Sequence, residues 1–379
     1  MSVPLLDLHA QNDPLKEAFT ATFERVMASN CFIMGPELEA FETAMAQYLG
    51  VKHAFGVSSG TDALLLALMV LDIGPGDEVL CPTFTFFATG GSIARLGATP
   101  VFVDVEASTF NIDVQDAAQK ITPKTKAIMP VHLFGQTADM NAILELASKH
   151  KLRVIEDTAQ AIGARYAGKH AGTLGDFGAY SFFPTKNLGG FGDSGLLVTQ
   201  DDTLAEKARL LRVHGARHTY LHEEVGGNFR MDPLQAALLL EKLPKLDSFV
   251  QLRRSHATFY NTTFTEELKG PIEAGKLILP QALTEENHSW NQYTLLLPKA
   301  GHRDTLMQHL SDQNIGCRIY YPYPLDAQPC FAKLNEKPAN TPQAHSLCKA
   351  CLSIPVYPEL TTKQRSSVAD AVIEFIKRI

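Results

Sequence analysis

Apolar residues recur at three- and four-residue intervals over 14–28 and again over 37–48, and predict two helices separated by Gly35-Pro36. Residues 1 to about 12 ahead of them lack that period and read as an extended arm. From Val51 the texture changes to short apolar runs alternating with helical stretches. Strands are predicted over 78–81, 101–104, 127–131 and 152–155, with a further short β-like run just before Lys186. Helices are predicted to open at Ser58-Ser59-Gly60-Thr61 and to cover 87–96 and 139–150. Strands of four to six residues alternating with helices imply right-handed crossovers and a mostly parallel sheet covered on both faces. In such sheets ligands gather at the carboxyl ends of the strands. Three polar segments lie just past strand-like runs: Gly60-Thr61, Asp157 to Gln160, and Ser181 to Lys186.

After Leu197 a helix is predicted over 202–211, then a polar loop over 216–228 and a helix over 232–243. A long helix continues through 252–262. The remainder reads as a small α+β domain, with strands over 291–297 and 316–320 and helices over 303–313 and 362–379. A chain of 379 residues is too long for one small core. The division falls near 246–251, giving a large α/β domain over 1–248 and a small domain over 249–379. No internal repeat or low-complexity tract interrupts it.

Composition narrows the function classes. Apolar content is 45% and charged content 20%, as in a soluble globular protein. A net charge of −7 argues against nucleic acid as a partner, because phosphate binding calls for a basic surface. The apolar run 63–71 is too short to span a bilayer, and the start carries no basic region followed by an apolar one, so neither membrane nor secretion is expected. Six scattered cysteines fit free thiols in a reducing cytoplasm. Cys348-Lys-Ala-Cys351 has no second pair or histidines beside it, and reads as two packed thiols rather than a metal site.

The candidate chemistry lies in the polar segments. An acid at a strand end, then a lysine beside a serine and glycines, is the layout of a pyridoxal phosphate site. Asp157 would face the ring nitrogen and keep it protonated, although an aspartate there also caps turns. Glu156 is the competing acid; strand alternation sends it to the opposite face. Gln160 would reach the ring hydroxyl. Lys186, approached through Phe182-Phe183-Pro184 and followed by glycines, would sit partly desolvated as nucleophile and base. Gly60 and Thr61 open a helix whose free N–H groups suit a phosphate, with Ser181 adding a hydroxyl; Ser59 or Thr61 would serve equally as an ordinary cap. Phe86 would stack on the ring, or else belong to the core.

These segments together resemble the DegT/DnrJ/EryC1/StrS family of sugar aminotransferases, with the aspartate aminotransferase (type I) fold. The resemblance spans the chain. It is carried by Gly35-Pro36, Ser59-Gly-Thr-Asp-Ala63, Gly74-Pro-Gly-Asp-Glu78, Pro82-Thr-Phe-Thr85 and Gly97-Ala-Thr-Pro100. It continues through Pro130-Val-His-Leu-Phe-Gly135, Glu156-Asp-Thr-Ala-Gln160, Ser181-Phe-Phe-Pro-Thr-Lys186, Asn228-Phe-Arg-Met-Asp232 and Tyr320-Tyr-Pro322.

The resemblance implies that Lys186 bonds the cofactor and that Asp157 and Gln160 contact its ring. Gly60, Thr61 and Ser181 hold its phosphate, and Phe86 covers its face. It also implies a homodimer in which Asn228 reaches the neighbouring subunit's phosphate. Arg230, Tyr320, Tyr321 and His214 would lie toward the sugar. L-glutamate would donate the amine, through pyridoxamine phosphate, to a nucleotide-linked keto sugar. The product would be an amino sugar for a glycan, a lipopolysaccharide or an antibiotic.

Gln160 stands where many C4-acting relatives have His, and so favours C3. Arg230 suits a uronate carboxylate, whereas Tyr320 stands where some uronate-acting relatives have His and argues against one. Retention of Lys186 favours transamination over a dehydratase or lyase. A ketocyclitol aminotransferase is the other catalytic alternative. A non-catalytic regulator fits less well, since such proteins usually carry an appended DNA-binding domain. Asp193-Ser-Gly195, where the family usually has two glycines after the acid, is a small departure.

Overall fold

The computed structural model describes residues 2–334 and 339–379. Seven strands form the central sheet: β1 (His53–Val57), β2 (Glu78–Pro82), β3 (Thr99–Val103), β4 (Thr125–Ile128), β5 (Arg153–Asp157), β6 (Phe177–Ser181) and β7 (Gly195–Thr199). Their order across the sheet is β1-β7-β6-β5-β4-β2-β3. Strands β6, β5, β4, β2 and β3 pair in parallel, whereas β7 runs antiparallel to both β1 and β6. The sheet is therefore mixed by a single reversed strand. The five residues of β7 are all buried, consistent with a strand covered on both faces.

Helices cover both faces. Gly60–Val70 is apolar around nearly its whole circumference and packs into the core with Phe55, Val57 and Ile155. On the other face Phe41 and Met45, from helix Pro36–Leu49, meet Tyr180, Phe182 and Leu196. A second core lies toward the C-terminus, where β8 (Tyr293–Leu296) pairs antiparallel with β9 (Cys351–Ile354) under helices His302–Asp312 and Thr362–Arg378.

Several boundaries differ from expectation. The arm is not wholly extended: Asp7 caps a short helix, Leu8–Asn12, while Val3 bridges Ile315. The strand expected over 316–320 does not form. There the chain makes only an isolated bridge, Arg318 to Ser353, before Tyr321 adopts a left-handed φ of 56°. The polar loop contains a two-stranded ribbon, Ala216–His218 with Leu221–His222. The expected break near 246–251 lies inside one 22-residue helix, Leu246–Glu267. Leu246 and Val250 join the sheet-side core, and Ala257, Tyr260 and Phe264 join the second. Helical period continues across the change of partner, so the break left no mark on the local pattern.

Gly178 of β6 lies against the backbone of the 172 loop. A Cβ there would stand 1.9 Å from the Gly172 carbonyl oxygen, which is main chain and has little room to move. Gly178→Ala is therefore expected to cost about 1–3 kcal/mol. Urea unfolding should show a lower midpoint with an unchanged slope.

Candidate active site

The site is built outward from the carboxyl end of β5. Glu156 and Asp157 point to opposite faces of the sheet. Glu156 is fully buried and saturated with donors. His132 Nε2 lies 2.8 Å from one oxygen, which also accepts from Gly172 N–H at 2.8 Å; the other accepts from Leu174 and Gly175 N–H at 2.7 Å each. Ala138 N–H donates to His132 Nδ1, so the proton on Nε2 is the one shared with Glu156. The competing acid is thus wholly engaged in structure.

Asp157 faces a cavity of about 810 Å³. It is 4% exposed and accepts from Thr89 Oγ1 at 2.9 Å and from Ala159 N–H at 3.2 Å. Burial raises its pKa, opposed by those two donors and by the nearby Lys186 charge. Lys186 lies across the same cavity. By surface it is only half-buried, because it faces the open volume. Its amine is nevertheless deep in the protein, and the loss of hydration pulls its pKa down to about 8 against the pull of Asp157.

Local anchors fix that lysine. Lys186 N–H bonds the Phe183 carbonyl at 2.8 Å, and Gly190 N–H bonds Phe182 at 2.7 Å. Asn187 Nδ2 donates to Ser289, and the buried Lys242 ammonium donates to the Gly189 carbonyl at 2.7 Å.

Helix Gly60–Val70 brings its N-terminus to the cavity. Ser59 caps it through Asp62 N–H at 3.0 Å, which leaves the Gly60 and Thr61 amides without an intrahelical acceptor at the cavity wall. A Cβ on Gly60 would stand 2.7 Å from the Ser181 Cβ, so glycine permits the helix to meet the end of β6. Gln160 spans the other side: its Oε1 accepts from Phe134 N–H at 2.7 Å and its Nε2 donates to Tyr321 Oη at 2.7 Å. Phe86 lies at the wall, 60% exposed.

Gly60, Thr61, Phe86, Asp157, Gln160 and Ser181 thus line one cavity with Lys186, Tyr320 and Tyr321. Three expected residues lie elsewhere. Asn228 and His214 are exposed and outside the lining of this chain's cavity. Arg230 is half-buried on a bridge to Val57, also outside it. Arg212 is buried against Glu42 and the Gly56 carbonyl, and Arg217 pairs with Glu223 and Glu206 at the surface; both are structural.

Sequence reasoning missed Thr89, Arg253 and Arg318. Thr89 lies four residues after Thr85, and that spacing at the start of a helix was the available signal. The two arginines arrive from distant segments and carry no local signature.

The donor set fits a phosphorylated pyridine aldehyde. It combines a buried carboxylate, a desolvated amine across from it, and free helix-start amides beside a serine hydroxyl.

Comparison with known proteins gives a concordant result. Residues 13–373 match the model of the DegT/DnrJ/EryC1/StrS aminotransferase family. A Geobacillus stearothermophilus protein named as a pleiotropic regulatory protein is 47% identical, over 100% of this chain and 99% of its own length. The UDP-N-acetyl-3-dehydro-alpha-D-glucosamine 3-aminotransferase of Acidithiobacillus ferrooxidans is 42% identical, over 98% of this chain and 97% of its own. The crystal structure of Streptomyces venezuelae DesV, solved in complex with a ketimine intermediate, superposes with a TM-score of 0.93 at 41% identity, covering 100% of this chain and 99% of that one.

The depressed Lys186 pKa has a consequence for stability. A lysine whose folded pKa lies below its unfolded one binds its proton more tightly in the unfolded chain, so stability rises as pH goes from about 8 toward 10.5. Lys186→Met should therefore stabilise the ligand-free protein at pH 7, by an amount of order 1–3 kcal/mol. That advantage should shrink at pH 10. Urea unfolding of both proteins at the two pH values tests this, and an equal difference at both would contradict it.

Proposed function

The chain belongs to the DegT/DnrJ/EryC1/StrS aminotransferase family, and from that membership we propose that it uses pyridoxal 5′-phosphate to move an amino group from L-glutamate to C3 of a nucleotide-diphosphate-linked keto sugar. The observation that carries the reading is the pairing of Asp157 and Lys186 across one cavity whose wall also holds the Gly60–Thr61 amides. When bound, the cofactor supplies an electron sink for the bond broken at the amine-bearing carbon.

The chain's own residues do the rest. The Gly60 and Thr61 amides and the Ser181 hydroxyl hold the phosphate, with the helix dipole favouring the anion. Asp157 keeps the ring nitrogen protonated, and Thr89 fixes that carboxylate. Gln160, already oriented by Phe134 and Tyr321, meets the ring oxygen, while Phe86 covers the open face. Lys186 would hold the cofactor through its aldehyde, and its amine would move the proton at the donor's α-carbon. With a pKa lowered to about 8, far more of its amine is uncharged near neutrality than in an ordinary lysine, which favours its use as nucleophile and base. Holding that base within reach makes the proton transfer effectively intramolecular, worth up to ~7–11 kcal/mol.

Residues 1–248 and 249–379 act in this reading as two domains, with separate cores joined by helix Leu246–Glu267. The working unit is a homodimer. Its support is the apolar surface at Phe23, Met27, Phe32 and Ile33, each at least half exposed, and the ribbon where Tyr220 is 93% and Val225 91% exposed. Asn228 would then reach the phosphate site of the second copy, with Arg230 and His214 toward its sugar. The cytoplasm is the proposed location. Its support is six free thiols and the absence, among the described residues, of a helix long and apolar enough to cross a membrane. The product would enter a lipopolysaccharide, another surface glycan or a natural product. The relative named for regulation does not favour a non-catalytic role here, because Lys186 and Asp157 both line one cavity.

The test has two stages. The protein loaded with pyridoxal phosphate should show a visible band that L-glutamate bleaches, with 2-oxoglutarate released. Lys186→Ala should bind the cofactor and lose both responses. Adding a UDP- or dTDP-linked 3-keto sugar should restore the band and carry label from [15N]glutamate to C3. A band that ignores every amino acid would defeat the reading.

A further inference from the structure

The lining of the cavity also includes Arg253 and Arg318. The first is committed: Arg253 is 2% exposed, and its guanidinium donates to the carbonyls of Trp290, Asn291 and Val356 at 3.0–3.3 Å. Arg318 is different. Its backbone is fixed by two hydrogen bonds with Ser353, at 2.9 and 3.0 Å. Its guanidinium lies 5.9 Å from the Tyr320 ring centre, and among the described residues no carboxylate pairs with it. Tyr320 contacts Tyr321 at 6.1 Å between ring centres, and Tyr321 bonds Gln160. A continuous aromatic wall therefore runs from the ring-binding end of the cavity to an uncommitted cation.

We infer that Arg318 recognises the distal carboxylate of a dicarboxylic amino donor while the donor's amine meets Lys186. The inference rests on the aminotransferase reading and names the donor-selecting residue of that site. A donor with a second carboxylate needs a counter-charge in the cavity; the other cations that this chain lends to its lining, Lys186 and Arg253, are already assigned, and Arg230 and His214 are placed toward the sugar of the second copy. The guanidinium suits a carboxylate bidentately, with Tyr320 packed beneath it. The diphosphate of a sugar nucleotide presents similar anionic oxygens. It is joined to the reacting carbon through the sugar ring, however, so the two ligands place their anionic oxygens at different distances from Lys186.

The test compares the cofactor-loaded wild type with Arg318→Leu and Arg318→Lys. Calorimetry measures binding of glutarate, which cannot react, and separately of UDP. The half-reaction is followed with L-glutamate and with L-alanine. Arg318 is exposed, so both variants should keep the wild-type melting temperature. Arg318→Leu should weaken glutarate and raise the glutamate KM by roughly tenfold to a hundredfold. It should leave UDP binding and the L-alanine reaction unchanged, with Arg318→Lys intermediate. Unchanged glutarate binding, failure of the wild type to bind glutarate, or loss of UDP binding instead would each overturn the assignment. If glutarate binding depends on Arg318 but no amino acid reacts with the wild type, the aminotransferase reading fails and the carboxylate site stands.

Discussion

The position of every group in the cavity depends on how β5 ends, and that end is held by the Glu156 carboxylate. Its two oxygens gather His132 from the segment after β4 and three backbone amides from the loop before β6. A buried carboxylate with so many donors has its hydrogen-bonding capacity filled, and it binds two otherwise independent loops to one strand. Strand alternation then sets the next residue, Asp157, on the opposite face with only two donors of its own. Two adjacent acids thereby acquire opposite tasks. One is saturated and structural, and the other is left short of partners beside an amine.

Much of this was legible in the chain because it is local. The helix expected over 202–211 forms as Asp202–Leu211, the helix expected over 37–48 gains a residue at each end, and the one expected over 139–150 starts one residue later. Lys186, Asp157 and Gln160 were readable because each sits in a segment whose small or polar composition is explained poorly by packing. Strand ends were less legible. The apolar run through Val131 outlasts the pairing of β4, which stops at Ile128 and leaves Val131 only a bridge to Asp157. The run at 316–320 has strand-like composition but meets backbone partners only in isolated contacts, Gly316 with Val3 and Arg318 with Ser353, before Tyr321 turns the chain through a left-handed conformation.

What stayed hidden was tertiary. Arg253 lies in the middle of a helix and carries no motif; three carbonyls from 290, 291 and 356 give it its task. Lys242 is similar. Its charge is buried against Gln11, Asn12 and Gly189, tying the N-terminal segment to the turn that bears Lys186. Both would pass for solvated surface cations in the sequence, as most lysines and arginines are. Conversely, Arg212, His214 and Arg217 lie within six residues of one another in sequence, yet the fold scatters them. Arg212 faces inward under Phe55, and Arg217 is neutralised by two glutamates.

The distribution of cost separates a catalyst from a chain that keeps the same fold for packing alone. Lys186 and Asp157 both depart from their ordinary pKa values in the direction that burial dictates, and neither is compensated as Glu156 is. A structural pair at this depth would be expected to have hydrogen bonds completing both members, because incomplete buried polar groups destabilise a fold. Here the amine faces an open volume and the carboxylate holds only Thr89 and Ala159. Around them the backbone is fastened closely, by Lys242 at Gly189, Ser289 at Asn187 and Glu156 one residue from Asp157. A rigid frame around two under-satisfied ionisable groups stabilises a ligand that completes them both. Two perturbed ionisable groups left open to one cleft mark chemistry there.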